Sequence, residues 1–288
     1  MKKIIVTNKY NNKKILYILQ DFFNGLSSSM FFKALRKKDI KVNGKRITTN
    51  INIFENDIIE IYLNDKFLFK HLSLDIVYED ENILIANKPA NIEVLSDTEN
   101  SFTNIIQNHY NFNNNFPYPC HRLDRNTTGL IIYAKNQTAL DILNKKIKNR
   151  EIQKLYKCTV IGIFNKKEDL LTHFLFKDSK KSTVYISDIQ KKDYKIIKTS
   201  YKVLNENIKD NLSLLEIKLH TGRTHQIRAH LAYIGHPILG DGKYGIYEYN
   251  KKFNQKIQDL TAYKLIFNFT SDAGILNYLN KKEISNKS

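Results

Sequence analysis

Beyond residue 74 the chain repeats short apolar runs bounded by polar turns, the pattern of strands in a sheet. Ile76-Val77-Tyr78 and Ile83-Leu84-Ile85-Ala86 read as strands around the polar turn Glu79 to Asn82, and Asn87-Lys88-Pro89 ends the second. Leu130 to Ala134, Tyr156 to Ile163, Thr183 to Ser187, Thr199 to Leu204, Leu212 to Leu219 and Leu265 to Phe269 follow as further strands. Helices are fewer: Thr138 to Lys148, Thr224 to Ile234 and Leu276 to Lys282. Many short strands with few helices predict an α+β domain built on a mixed or antiparallel β-sheet.

The chain ahead of residue 74 has a different rhythm. Ser27, Ser28 and Ser29 offer N-cap oxygens to a helix carrying Phe31, Phe32 and Leu35, which closes on Arg36, Lys37 and Lys38. Ile40-Lys41-Val42, an Asn43-Gly44 turn and Lys45-Arg46-Ile47 spell a hairpin with a two-residue loop. Ile59, Ile61 and Leu63 alternate with polar neighbours as a half-buried strand. Asn64 to Ser73 breaks the periodicity and is expected to link two domains, residues 13–70 and 74–288.

Composition narrows the class. The 288 residues are 42% hydrophobic, enough for a core in one or two domains, which excludes a mainly disordered protein. A net charge of +17 points to a polyanionic partner, nucleic acid or an acidic membrane. Most of the basic residues are Lys, which a biased genome would also produce. Four of the seven Arg, however, fall in two short segments: Arg122 with Arg125, and Arg223 with Arg228. Cys120 and Cys158 cannot frame a disulfide scaffold in a chain this large, which suits a reducing compartment. The basic start carries an apolar run of only Ile4 to Val6, too short for a secretory signal, and no stretch approaches the roughly 18 apolar residues of a membrane span. The expectation is a cytoplasmic protein without membrane attachment.

The first Arg-bearing segment is His121-Arg122-Leu123-Asp124-Arg125-Asn126-Thr127-Thr128-Gly129, immediately before a hydrophobic strand. A carboxylate between two Arg has its ionised form favoured, and an anionic Asp held on a loop can act as nucleophile or base. The same residues also suit a plain turn in which Asp124 or Asn126 bonds backbone amides and Gly129 takes a left-handed position. The second segment runs from His220 to Leu231. There Ile227, Leu231 and Ile234 fall at i, i+4 and i+7, so one helix face packs inward. Arg228 then projects about 100° from Ile227, at the edge of the buried stripe, where it can orient a carboxylate. Gly222, Gly235, Gly240, Gly242 and Gly245 crowd the same region, which points to backbone that turns tightly or approaches something closely. Five of the eight His, residues 121, 220, 225, 230 and 236, lie in or just after the two segments, but His225 and His230 are five apart and neither Cys sits in a ligand pair, so no metal site is expected.

Three segments, YEDENILIANKPA at 78–90, HRLDRNTTGLIIYAK at 121–135 and LHTGRTHQIRAHLAYIGHPILGDGKYG at 219–245, resemble those of RluA-family pseudouridine synthases. With KLYKC at 154–158 they cover about residues 74–270. SSSMFFKALRKKDIKVNGKRI resembles a small N-terminal αL-motif RNA-binding domain of S-four type, as found in the branch acting on large-subunit ribosomal RNA. The resemblance implies Asp124 as the catalytic aspartate, Tyr156 as the active-site tyrosine and Arg228 as the arginine paired with the aspartate. It implies that Arg122 fills the gap left by a flipped base, with His121, Arg223, His225 and Ile227 around the substrate. Arg36, Lys37, Lys38, Lys45 and Arg46 would contact phosphates. Asn91 stands where the family usually has Gly, and Gly242-Lys243 where it usually has Pro-Leu; both touch loops rather than the aspartate.

The implied reaction is an isomerisation of uridine within RNA, with no cofactor, by a monomer. The bond from ribose C1′ to uracil N1 breaks, the base turns, and C5 joins the sugar. Glycosidic chemistry needs a carboxylate at the anomeric centre, and the motifs offer one, whereas a hydrolase would want a second to activate water. Competing readings are a transfer-RNA synthase, a non-catalytic ribosome-assembly factor and a nucleic-acid glycosidase.

Overall fold

The structure, a computed structural model, describes residues 1–23, 25–63, 68, 74–96, 101–110 and 116–286. Apart from Leu68, the expected linker Asn64 to Ser73 lies outside the described residues. Two compact units form, Met1–Ser73 with Leu95–Ile105 and Leu74–Val94 with Ile106–Ser288.

The first unit contains β1 (Lys2–Ile5), β2 (Lys13–Lys14), α1 (Ile15–Phe22), α2 (Ser28–Lys37), β3 (Ile40–Val42), β4 (Lys45–Arg46), β5 (Asn52–Ile53) and β6 (Ile58–Ile61). Four strands make an antiparallel sheet in the order β1-β6-β3-β4, and β2 pairs with β5. Ser27 Oγ accepts from the Met30 amide at 3.2 Å, which satisfies one unpaired donor of α2, and Lys38 at φ 62° ends that helix. Asn43 and Gly44 both take positive φ, 50° and 76°, as the tight β3–β4 turn demands. Ile40, Ile59 and Ile61 are fully buried with Phe31 and Leu35, while Arg36, Lys37, Lys38, Lys45 and Arg46 are all exposed. Helix α1 was not foreseen, because the run Ile15 to Leu19 is continuously apolar and lacks a helical stripe.

The rest of the chain supplies β7 (Ile76–Glu79), β8 (Ile83–Lys88), α3 (Phe102–Tyr110), β9 (Tyr118–Pro119), β10 (Thr128–Ala134), α4 (Gln137–Lys148), β11 (Ile152–Ile161), β12 (Glu168–Asp178), β13 (Thr183–Ser187), β14 (Lys195–Asn207), β15 (Leu212–Leu219), α5 (Gln226–Tyr233), α6 (Tyr247–Lys252), β16 (Leu260–Phe267) and β17 (Glu283–Ser285). An eleven-stranded sheet runs β13-β12-β14-β15-β11-β16-β10-β8-β7, with β17 on β16 and β9 on β10. Among its described pairings β10–β16 is parallel and the others antiparallel, so the sheet is mixed and largely antiparallel, as expected. Ile83, Ile85, Leu130, Ile132, Leu265 and Phe267 form the core beneath Ala139 and Leu143 of α4. Asn136 caps that helix, its Oδ1 accepting from the Ala139 amide at 2.9 Å.

Three elements correct the sequence expectation. The helix expected over Leu276 to Lys282 is a 3₁₀ helix at Gly274–Leu279 followed by β17, because Leu276 and Leu279 are buried at a spacing of three, which matches the tighter winding. Helix α5 starts at Gln226 rather than Thr224, since His225 sits in the left-handed region at φ 51°. Strand β12 was missed because Leu170-Leu171 and Phe174-Leu175-Phe176 blur the period of two.

Gly129 lets β10 and β16 meet. Its φ is 112°, and a Cβ there would lie 2.2 Å from the Ala262 carbonyl oxygen. Gly129→Ala is therefore expected to lower the unfolding free energy by about 2 kcal/mol or more, read from urea denaturation curves against the parent protein.

Candidate active site

A cavity of about 960 Å³ opens where the β9–β10 loop, β11 and the start of α5 converge. All eight residues expected at the catalytic and substrate positions line it: His121, Arg122, Asp124, Tyr156, Arg223, His225, Ile227 and Arg228. The loop after β9 brings Asp124, with the Thr127 amide donating to the Asp124 carbonyl at 3.1 Å to close a turn. Strand β11 brings Tyr156, which is buried; burial, together with the charge of nearby Asp124, pushes its phenol up.

Arg228 ties the site together. Its Nη1 donates to Asp124 Oδ2 at 3.2 Å, while Nε and Nη2 form a fork on Asp241, at 2.7 Å to Oδ2 and 2.9 Å to Oδ1. Asp241 Oδ1 also accepts the amides of Lys243 at 2.8 Å and Tyr244 at 3.1 Å. Burial alone would push Asp241 up, but the Arg228 guanidinium and the two backbone N–H groups hold its carboxyl below the usual range. The guanidinium also lies 5.3 Å from the Tyr244 ring centre. Helix α5 is buried on every side from Gln226 to Leu231, so Arg228 sits inside the protein rather than at the edge of an apolar stripe.

The two Arg that flank Asp124 in sequence do not pair with it. Arg122 is exposed, and Arg125 Nε donates to the Asn91 carbonyl at 3.3 Å. Arg223 is exposed too, its amide donating to Gln226 Oε1 at 3.0 Å. His225 Nδ1 lies 3.0 Å from the Tyr244 hydroxyl, and burial pushes its imidazole down. His121 Nε2 accepts from the Ile132 amide at 3.2 Å. His230 is fully buried between Thr199 Oγ1, 2.9 Å from its Nδ1, and His173 Nδ1, 2.7 Å from its Nε2.

A model of the family described as RNA pseudouridylate synthase matches residues 82–233, more than half the chain. The chain belongs to the RNA pseudouridine synthases. A protein of Mycoplasma capricolum described as an uncharacterized RNA pseudouridine synthase is 34% identical, over 99% of this chain and 97% of that one. The ribosomal large subunit pseudouridine synthase C of Rickettsia conorii is 31% identical, over 84% and 85%. In fold the chain is similar to human RNA pseudouridylate synthase domain containing 1, with a TM-score of 0.62 at 23% identity over 75% of this chain and 84% of the other. The activity is accordingly that of an isomerase.

Of the two departures from the family pattern, the one at Asn91 has a local explanation in this synthase. Asn91 takes φ 66°, a conformation that Asn tolerates better than most residues. A Cβ at Gly242 would meet nothing within 4 Å, so no close approach requires a glycine there; the same holds at Gly222, contrary to the crowding argument. Gly240 and Gly245 do fit that argument, with backbone oxygens 2.1 and 2.2 Å from where a Cβ would be.

Three residues of the synthase escaped the sequence reading. Asp241 is one; its signal was an acid inside the Gly240-Asp241-Gly242 turn. Gln226 is another, with all four amide hydrogen bonds filled: Oε1 accepts from Thr221 Oγ1 and the Arg223 amide, and Nε2 donates to Lys198 O and Thr199 Oγ1. Lys88 is the third. It is fully buried, and Nζ donates to the carbonyls of Pro89, Ile92 and Arg125 at 2.8, 2.9 and 3.0 Å.

Replacing Asp241 leaves a buried guanidinium without its fork. Asp241→Asn is expected to cost about 3 kcal/mol of stability at pH 7. Because the carboxyl titrates below its unfolded value, that stabilisation is complete above about pH 4 and fades as pH falls further. Urea denaturation of both proteins from pH 7 downward checks the cost and the closing gap.

Proposed function

We propose that this synthase isomerises uridines of large-subunit ribosomal RNA, with Asp124 acting at the glycosidic bond of a flipped nucleotide. The observation that carries the reading is the cavity in which Asp124, held by Arg228, faces the same space as Tyr156. A stacked base is out of reach of such a recess, so the nucleotide leaves the helix at a cost of a few kcal/mol. Exposed Arg122 fills the gap, and Tyr156 packs on the uracil. The C1′–N1 bond breaks, the base rotates, C5 bonds to C1′, and the C5 proton leaves while N1 gains one.

Asp241 bears on the choice between isomerase and hydrolase. It is a second carboxylate near the anomeric centre, but its side chain is 0% exposed and both oxygens are engaged. No free carboxylate among the lining residues is left to activate water, which favours return of the base to the sugar over hydrolysis. The large-subunit assignment draws on the Rickettsia relative and on the N-terminal unit, which we read as an S-four-type domain. There α2 and the β3–β4 hairpin present Arg36, Lys37, Lys38, Lys45 and Arg46 to phosphates. These contacts supply affinity and register rather than choice of base.

Asp124→Asn is expected to reduce tritium release from RNA labelled at uracil C5 to background while RNA binding persists; full release by the variant would end the reading. Mapping pseudouridine in cells with and without the protein assigns the target. Changing Arg36, Lys37, Lys38, Lys45 and Arg46 together to Gln is expected to flatten the dependence of log K on log salt by up to about 4, with turnover at saturating RNA retained. An unchanged slope would remove the N-terminal unit from the RNA interface.

A further inference from the structure

The cavity carries more positive charge than its one carboxylate can use. Seven of the lining side chains are Lys or Arg, and Asp124 is the single acid. Arg228 is the ion-pair partner of Asp124, and none of the other six has an ion pair among the described residues. Arg122, Lys148, Arg150 and Arg223 are exposed, which suits general attraction for RNA from the rim and the wedge already assigned to Arg122, and Lys218 stands opposite Leu155, on the sheet face away from that of Tyr156. Lys154 differs in its position.

Lys154 lies two residues before Tyr156 on β11, on the same face of the strand, about 6.6 Å along it. It is partly buried, and Nζ makes no hydrogen bond or ion pair to any described residue. Burial, with no anion nearby to offset it, pushes the ammonium down to about 8. The neighbouring His121 cannot compensate: burial and the charge of Lys154 hold its imidazole neutral, well below its ordinary range. Nε2 of His121 accepts from the Ile132 amide, so the ring is engaged with the backbone of β10. An uncompensated cation lining a recess open to solvent is a site awaiting an anionic oxygen.

We propose that Lys154 binds a phosphate of the flipped uridine's own nucleotide, positioning the sugar over Asp124 while the base rests against Tyr156. This inference rests on the reading of the cavity as the uridine site. The spacing along β11 decides for a phosphate over a uracil oxygen: if the base packs on Tyr156, a cation two residues along the same face is one nucleotide radius away, where the base gives way to the sugar and its phosphate. A phosphate there restores the missing counter-charge. Lys154 is then a positioning residue, holding the end of the nucleotide that must stay still while the base turns.

The test needs no turnover and no knowledge of the target site. Uridine, uridine 5′-monophosphate and uridine 3′-monophosphate are titrated against the full chain by calorimetry or NMR, first with Asp124→Asn alone, then with Lys154→Met or Lys154→Arg added. One monophosphate is expected to bind about 10-fold or more tightly than uridine when Lys154 is present. Lys154→Met is expected to bind all three alike, and Lys154→Arg to restore most of the difference. Thermal melting of each variant confirms that it folds. Equal binding of all three ligands with Lys154 present overturns the proposal, as does a phosphate preference that survives Lys154→Met. Loss of tritium release by the parent protein would count against the proposed function instead, since the titrations do not depend on it.

Discussion

One guanidinium organises this site. Arg228 is buried, so its charge must be met inside the protein, and the protein meets it twice. The fork to Asp241 is bidentate and fully enclosed, which fixes the plane of the group. Nη1 then reaches Asp124, at one oxygen of that carboxylate. For the proposed function the division of labour is chemically sensible. An acid used to hold an arginine cannot also act on a substrate, and an acid meant to act must not be fully consumed by its support.

The rest of the unit serves this arrangement. The parallel pairing of β10 and β16, allowed by the bare backbone of Gly129, seats the loop of Asp124 beside β11 and Tyr156. Gln226 ties the first turn of α5 to β14 and to the Thr221–Arg223 loop, so the helix that carries Arg228 cannot rotate without breaking four hydrogen bonds. The left-handed His225 delays the start of the helix by two residues relative to what its sequence would allow, and its ring meets Tyr244.

Much of this was legible in the residues. The unbroken apolar runs Ile83 to Ala86 and Leu130 to Ala134, bounded by polar turns, announced the central strands, and Ser27 with Asn43-Gly44 announced the helix and hairpin of the first unit. The eight cavity residues were reached through motif resemblance, and folding brings them to one recess. What stayed hidden depends on long-range contacts. Asp241 lies 117 residues from Asp124 in a glycine turn that reads as loop, and nothing local shows that its side chain turns inward. Arg122 and Arg125 misled for the converse reason: adjacency in sequence suggested a charge cluster, but on a turn successive side chains diverge. Lys88 read as the end of a strand, and only the folded loop reveals three carbonyls around its ammonium.

That lysine closes a ring. Its ammonium holds the Arg125 carbonyl, and the Arg125 side chain in turn holds the carbonyl of Asn91, whose left-handed backbone bends the loop back toward it. Two loops from different parts of the chain are thereby crosslinked in both directions next to the aspartate. The ordering entropy of that wall is spent when the chain folds, not when RNA arrives. On the proposed function, a nucleotide entering the recess meets a surface already in shape, and its binding energy remains available for the harder work of leaving the helical stack.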